Sequence, residues 1–286
     1  MRPNLFTRGK KARRAVIAAV GLLLFGIFAG WLIHSNTVPS LTGITVASDR
    51  LPAAFEGFRI VQISDLHDAE YGEDHARTLA LIREAKPDII VLTGDLVDSS
   101  RTHVEQSVAL VRQAVEIAPC YYVTGNHEGR LSPETYAELE TALLSLGVIV
   151  LHDEAVTLER GGETITLAGV DSPAFAQPSA DLPALCGEGF TILLAHHPEY
   201  ASAYAEAGVD LVFCGHAHGG QFRLPLIGGI YAPGQGLFPT YDAGLYSIPS
   251  EAGTTSLVVS RGLGNSAFPV RVGNRPEVIL AVLERD

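Results

Sequence analysis

Through residues 58–147, short apolar runs alternate with longer segments whose apolar positions recur at helical spacing. The run FRIVQIS (58–64) precedes EDHARTLALIREA (73–85), where Leu79, Ile82 and Ala85 fall on one helical face. DIIVLTG (88–94) precedes HVEQSVALVRQAVEIA (103–118). YYVTG (121–125) precedes SPETYAELETALLSLG (132–147), with Ser132 placed as N-cap and Gly147 as stop. After VIVLHD (148–153) the texture changes, and AVTLERGGETITLAGV predicts a hairpin turning at Gly161-Gly162. FTILLAH (190–196), a short helix over 199–207, VDLVFCG (209–215), TSLVVSRG (255–262) and EVILAVLE (277–284) complete a more β-rich second half. The pattern predicts α/β layers with helices outside sheets.

The N-terminus has a different texture. Arg2, Arg8, Lys10, Lys11, Arg13 and Arg14 precede an uncharged run from Ala15 to Ile33, long enough for the roughly 18 or more apolar residues that a bilayer core requires. This predicts a basic tail (1–14), a transmembrane anchor (15–33), a linker (34–56, with Pro39 and Pro52) and one globular domain (57–286). A cleaved signal peptide competes with the anchor, but its apolar region is shorter, about 7–15 residues, and small residues of A-x-A type follow it; here HSNTVPS follows. Arg13-Arg14 also matches a twin-arginine signal, with nothing around the pair to strengthen it. Cations stay on the cytoplasmic side, so the domain is expected outside the cytoplasm, on a single-pass anchor in the cell membrane.

Composition narrows the partners. With six of the 20 Lys and Arg ahead of Ile33, 14 remain against 32 Asp and Glu, a formal charge of about −18 on the rest of the chain. So acidic a surface makes a poor nonspecific binder of long nucleic acid or of anionic membrane. Cys120, Cys186 and Cys214 form no disulfide framework, and the first and last sit in apolar surroundings as small core residues.

The candidate chemistry lies where the strands stop. RIVQIS runs into Asp65 and His67, IIVLTG into Asp95 and then Asp98, YYVTG into Asn126-His127, TILLA into His196-His197, and LVFCG into His216 and His218. In open α/β sheets ligands bind beyond the carboxyl ends of the strands, so five such tips can converge on one crevice. In extended backbone residues i and i+2 face one side, which pairs Asp65 with His67 and His216 with His218. Glycines around the histidine pair let backbones approach. A lone Asp or Asn after a strand is more commonly a turn or cap residue; the two spaced pairs are what shift the reading toward metal. A mixed oxygen and imidazole set without thiolate disfavours structural zinc and suits Mn, Fe, Zn or Ni. Six or seven donors exceed one tetrahedral ion and suit two divalent ions about 3.5–4 Å apart sharing a carboxylate.

DLH (65–67), GDLVD (94–98), GNHE (125–128), AHHP (195–198) and GHAH (215–218), in this order over residues 60–280, resemble the calcineurin-like metallophosphoesterases. SDLHDAEYG and GHAHGGQFRLP resemble the membrane-associated or exported bacterial branch. The resemblance implies a four-layer α/β/β/α sandwich and a metal-dependent phosphoric ester hydrolase. It implies one metal on Asp65, His67 and His218, the other on Asn126, His196 and His216, and Asp95 bridging. A water between the ions would be acidified toward hydroxide and attack the phosphorus. His127 would stand over the leaving group, oriented and kept as imidazolium by Asp98.

His197 is expected to face away from the ligands, His75, His103 and His152 to lie on the solvated surface, and Arg223 to reach a phosphate if it is not an ordinary surface arginine. The anchor suggests a lipid-linked phosphodiester or pyrophosphate, or another envelope phosphoester. Two alternatives stay open: a nuclease, against which the acidic surface argues, and a non-catalytic metal-binding envelope protein.

Overall fold

A computed structural model describes residues 5–172, 181–265 and 268–286. Residues 1–4 of the basic tail, Arg2 among them, lie outside these. In chain order the elements are α1 (Leu5–Thr37), β1 (Ser40–Ala47), β2 (Arg59–Ile63), α2 (Ala76–Ala85), β3 (Ile89–Thr93), α3 (Val104–Ala114), β4 (Cys120–Val123), α4 (Pro133–Ser145) and β5 (Ile149–Val150). There follow β6 (Glu154–Arg160), β7 (Glu163–Gly169), α5 (Leu182–Leu185), β8 (Thr191–Leu194), α6 (Ala201–Glu206) and β9 (Leu211–Cys214). Four short strands, β10 (Arg223–Leu224), β11 (Gly228–Gly229), β12 (Tyr231–Ala232) and β13 (Gly236–Leu237), form two small hairpins. The chain closes with β14 (Gly244–Ser250), β15 (Gly253–Val259) and β16 (Glu277–Glu284).

Two six-stranded sheets stack face to face, ordered β1-β16-β2-β3-β4-β5 and β14-β15-β9-β8-β7-β6. Strands β2 to β5 run parallel, as do β15, β9, β8 and β7. Period-2 alternation sorts the side chains: Ile60, Val91 and Val123 face Leu167, Ile192 and Phe213 between the sheets, while Val61, Ile63, Ile90 and Leu92 pack under α2, α3 and α4. Leu193 and Val212 pack on Tyr204 and Ala205 of α6. The result is the four-layer α/β/β/α sandwich, its central strands β3, β4, β8 and β9 buried on both faces as their apolar runs require. Each fully buried Leu, Ile or Phe contributes roughly 1.5–3 kcal/mol relative to exposure. In α4, Ser132 accepts from the Thr135 N–H and Gly147 takes φ +81°, the start and stop expected of them.

The expected linker is partly sheet. Residues 40–47 form β1, which pairs in parallel with β16 from Ser40↔Glu277 to Ala47↔Glu284. As an edge strand it buries only Val46 fully, so its sequence lacks the apolar run that marks the central strands. Strand β14 went unread for a similar reason: Ile248 alone is buried and Pro249 interrupts it. Helix α1 carries the window Arg13–Thr37, mean hydropathy 2.6 and unburied, long and apolar enough to cross a membrane.

Candidate metal centre

The parallel strands β2, β3, β4, β8 and β9 end at one edge of the sandwich, and the residues just past their tips meet there. Asp65, His67 and His218 offer ligand atoms within 4.8 Å of one another; so do Asp95, His196 and His216. Asp95 joins the groups: its Oδ2 stands 3.6 Å from His67 Nε2 and 3.2 Å from His196 Nε2. His218 Nε2 lies 3.3 Å from His67 Nε2 and 3.5 Å from Asp65 Oδ1. His196 Nε2 lies 3.2 Å from both Asn126 Oδ1 and His216 Nδ1. The histidine pair that ends β9 is therefore divided, one imidazole to each group.

Local geometry achieves this differently from the extended backbone expected. Asp65, His67, Asp95, His216 and His218 have φ of 50°, 46°, 52°, 63° and 47°. Such left-handed residues cost on the order of 1–3 kcal/mol each and persist only where the surroundings over-determine them. Here the surroundings do. The His67 N–H donates to Asp95 O and the Asp65 N–H to Gly94 O, both at 3.0 Å, locking the β2 and β3 tips together. The Glu128 carboxylate, wholly buried, accepts from the N–H groups of Asp95 (2.8 Å), Leu96 (2.8 Å) and Gly125 (2.7 Å). Glycine permits the contact between sheets: a Cβ on Gly215 would stand 1.9 Å from Ser64 Oγ and 2.3 Å from Asp65 Oδ2.

One oxygen of each central carboxylate is held by the protein. Asp95 Oδ1 accepts from the His127 N–H at 2.8 Å, leaving Oδ2 toward the imidazoles. Asp65 Oδ2 accepts from the Ser64 hydroxyl at 2.6 Å, and Asp65 also accepts from the His216 N–H. His196 Nδ1 lies 2.8 Å from Thr93 O; donation there turns Nε2 to the site, where a bound cation would replace the proton that Asp95 otherwise favours on it.

Electrostatics follow from crowding these groups away from water. Burial pushes the Asp65 carboxyl up to about 6 and the His67 imidazole down to about 4. Burial also holds His216 and His218 well below the usual imidazole range, with His196 adding to the effect on the first and His67 on the second. For Asp95 the upward push of burial is outweighed by the charge and hydrogen bond of His196, which keep it well below the carboxylate range; reciprocally, Asp95 overcomes burial at His196 and lifts it to about 10. His67, His216 and His218 are thus kept neutral beside the buried Asp65 and Asp95 carboxylates, the protonation state in which imidazole can ligate a cation.

The Asn126 amide reaches the same group in either orientation: its Oδ1 stands 3.2 Å from His196 Nε2, and exchanging O and N would let the amide donate to His196 and His216 while its oxygen accepts from the Arg130 guanidinium. The donor set itself, carboxylate and amide with imidazole and no thiolate, suits divalent ions of the Mn, Fe or Zn kind. The residues present fit two such ions.

Several expectations need correcting. His127 Nδ1 stands 3.8 Å from Asp98 Oδ1, beyond hydrogen-bond reach, and instead accepts from the Ser99 N–H at 3.0 Å. Asp98 accepts from Ser100 N–H (2.8 Å) and Oγ (2.6 Å) and pairs with Arg101 (3.2 Å). Burial lowers the His127 pKa despite Asp95 and Asp98, so the imidazolium is disfavoured and the neutral ring carries its proton on Nε2. His197 does not turn away: its ring lies 4.3 Å from that of His216, with Nε2 2.6 Å from Ser172 Oγ and Nδ1 3.1 Å from Glu199 Oε1. Arg223 pairs with Asp242 at 2.9 Å and donates to Gly219 O. His75 is buried against Gln106 O rather than solvated.

Two contributors were missed. Glu128 stood inside the GNHE motif, yet an acid one residue past a histidine gives no hint that it will cradle a neighbouring loop. Arg271, fully buried, donates to Arg261 O (2.6 Å) and Gly264 O (2.5 Å) and lies 3.4 Å from His218 Nδ1. Nothing in the polar loop that precedes β16 signals it.

Residues 58–220 match the family model described as calcineurin-like phosphoesterase. The chain belongs to that family. It is 34% identical over 248 residues to the uncharacterized metallophosphoesterase YkuE of Bacillus subtilis (strain 168), covering 84% of each chain. It is 32% identical over 230 residues to phosphodiesterase YaeI of Escherichia coli (strain K12), covering 79% of this chain and 82% of that one. It is also 30% identical over 302 residues to a Bos taurus transmembrane protein with metallophosphoesterase domain, covering 96% of this chain and 63% of that protein. The protein is thus a metal-dependent phosphoester hydrolase, and its aspartate and histidine groups could bind the divalent metals the family uses.

Proposed function

We propose that the chain is a membrane-anchored phosphoesterase holding two divalent cations, one on Asp65, His67 and His218 and one on Asn126, His196 and His216, with Asp95 shared. The observation that carries the reading is Asp95 Oδ2, set between His67 Nε2 and His196 Nε2 while Oδ1 is tied to the His127 N–H. Two cations there would supply Lewis-acid neutralisation of the phosphoryl oxygens and a water acidified toward hydroxide.

The chain's own residues do the remainder. Glu128 fixes the Asp95 loop by its backbone, so the shared carboxylate needs no reorganisation during the reaction. Arg271, pinned by carbonyls, holds a fixed positive charge behind His218. His127, its Nδ1 bonded by Ser99, offers an Nε2 proton to the departing oxygen. Asp98 holds the loop that presents Ser99 through its bonds to Ser100 and Arg101, while its charge faces the imidazole from 3.8 Å.

The cations preceding the apolar run keep the N-terminus cytoplasmic, which puts the phosphoesterase domain on the outer side of the cell membrane. Phosphodiesters and pyrophosphates of the envelope, lipid-linked ones included, are then the substrates within reach. The test is hydrolysis of bis(p-nitrophenyl) phosphate by the purified full chain with Mn, Zn, Fe and Mg in parallel, beside single- and double-stranded DNA. Metal-dependent hydrolysis of the small diester without DNA cleavage is expected. Cleavage of DNA would favour a nuclease, and two bound ions with no phosphoester hydrolysed would favour a binding protein.

A further inference from the structure

Among the described residues outside the apolar run, eight of the eleven exposed large apolar side chains lie in two stretches, 224–238 and 268–270. Leu224, Leu226, Ile227, Leu237, Phe238 and Phe268 are the most solvent-facing of them, and Leu226 is wholly exposed. The clustering exceeds the scattered exposed leucine that any surface shows.

The two stretches are one structural unit. The side-chain amide of Gln221 donates to Phe268 O (3.1 Å) and Val270 O (2.8 Å), and the Arg223 N–H donates to Val272 O (2.8 Å). Phe222 and Phe268 stack edge to face at 5.9 Å. The unit adjoins the metal centre on two sides. Gln221 follows His218 by one short turn, and Pro269 and Asn265 line a cavity of about 320 Å³ together with His67 and Asp98.

The same unit is fastened to the foot of the apolar helix. The Arg271 N–H donates to Asn36 Oδ1 (2.7 Å), and Asn36 Nδ2 returns a bond to Arg271 O (2.8 Å). The guanidinium of Arg275 caps Val38 O, and that of Arg77 caps Thr37 O. Asn36 lies three residues past Ile33, roughly 5 Å along a helix. The polar layer of a bilayer face is about 5–7 Å deep. With Ile33 at the edge of the hydrocarbon core, Arg271 is therefore held at about headgroup depth, with Val270 next to it in the chain.

We propose that the apolar rim formed by residues 224–238 and 268–270 enters the surface of the bilayer that α1 crosses, so that the metal centre opens at headgroup level and takes phosphoesters borne on lipids. The proposal rests on the phosphoesterase reading above and names its substrate class. The arginines beside the rim are engaged by Asp242 and by backbone carbonyls, so docking depends on apolar insertion and works on neutral lipid.

The test uses the full chain in phosphatidylcholine nanodiscs, with its single tryptophan removed by Trp31→Phe. Leu226→Trp and, separately, Phe238→Trp then report the surroundings of the rim. Blue-shifted emission quenched by dibromophosphatidylcholine is expected. Emission that bromolipid leaves unquenched overturns docking, whether red-shifted in water or blue-shifted under a second copy of the chain. In a second arm, Leu226→Asp with Phe238→Asp lowers hydrolysis of phosphatidyl-p-nitrophenol in the discs about ten-fold or more. Hydrolysis of soluble bis(p-nitrophenyl) phosphate stays within about two-fold. Equal losses on both substrates, or none on the lipid, overturn the substrate class. If the unsubstituted chain cleaves neither with any metal, the phosphoesterase reading fails and the substrate class with it, while quenching still decides docking.

Discussion

At the tips of β2, β3, β4, β8 and β9, carboxylates, imidazoles and an amide are buried; a few residues past β9, between Leu224 and Phe238, leucines and a phenylalanine stand in solvent. Both departures oppose the usual sorting of side chains, and they are supported differently. Buried polar groups are costly unless every one is partnered, so the strand tips carry a dense set of backbone and carboxylate bonds and five left-handed residues held in place by them. Exposed apolar groups cost little in the folded monomer, so the rim can sit on two short hairpins with two hydrogen-bonded pairs each. Substitutions at the tips should therefore be severe and should couple, while those in the rim should be mild except where lipid is involved.

The largest effect is expected at Asp95→Asn, which removes the shared carboxylate charge and disturbs both donor groups. Turnover on bis(p-nitrophenyl) phosphate should fall by about 10³-fold or more. Metal analysis of the same variant should find fewer than two ions per chain. A variant that keeps both ions and near-normal turnover would erase the distinction drawn between tip and rim.

Next comes His127→Ala. If its Nε2 proton serves the departing oxygen, the loss should be roughly 10²–10⁴-fold on an alkyl phosphodiester and much smaller on p-nitrophenyl esters, whose leaving group needs no proton. Equal losses on both would mean that the imidazole serves the site in some way other than protonating the leaving group. Asp98→Asn separates the same roles. It should act through the Ser99 to Arg101 loop and leave the leaving-group dependence unchanged.

The convergence of the five tips was legible because each buried run stops abruptly at a ligand-type residue, and a parallel sheet sends all such stops to one edge. The mechanics were not. Left-handed φ at Asp65 or His216 depends on bonds to residues far along the chain, and Glu128 gains its meaning only from the Asp95 loop folded over it. The family resemblance pairs Asp98 with His127, yet the Ser99 N–H takes the imidazole nitrogen and leaves Asp98 Oδ1 3.8 Å away. The edge strand β1 hid because its alternation buries so little.

A smaller, purely packing effect is expected at Gly215→Ala. The added Cβ would collide with Ser64 Oγ and Asp65 Oδ2, and the strained His216 follows directly. Denaturant unfolding should show a loss of about 1–3 kcal/mol, with metal affinity falling in parallel. Unchanged stability would mean that the sheets are less tightly apposed at this point than their glycine contact implies.

The smallest lies away from both regions. His152 bonds Asp171 at 2.8 Å and Glu140 at 2.5 Å. Partial burial lowers its pKa, but the bond and charge of Asp171, then of Glu140, outweigh this and raise it above the ordinary 6.5. A raised folded value means the contribution is fully present below the unfolded pKa and is lost as pH rises through the folded one. Because the pair is half exposed, it should be under about 1 kcal/mol. Unfolding followed from pH 6 upward should show that decrement, and His152→Gln should flatten it.

The shared carboxylate can be tested most directly by loading the full chain with manganese and combining metal analysis with electron paramagnetic resonance. Two manganese ions per chain with an exchange-coupled signal, which Asp95→Asn uncouples, is the expected result. One ion per chain, or two that are magnetically isolated in the unsubstituted protein, would contradict it.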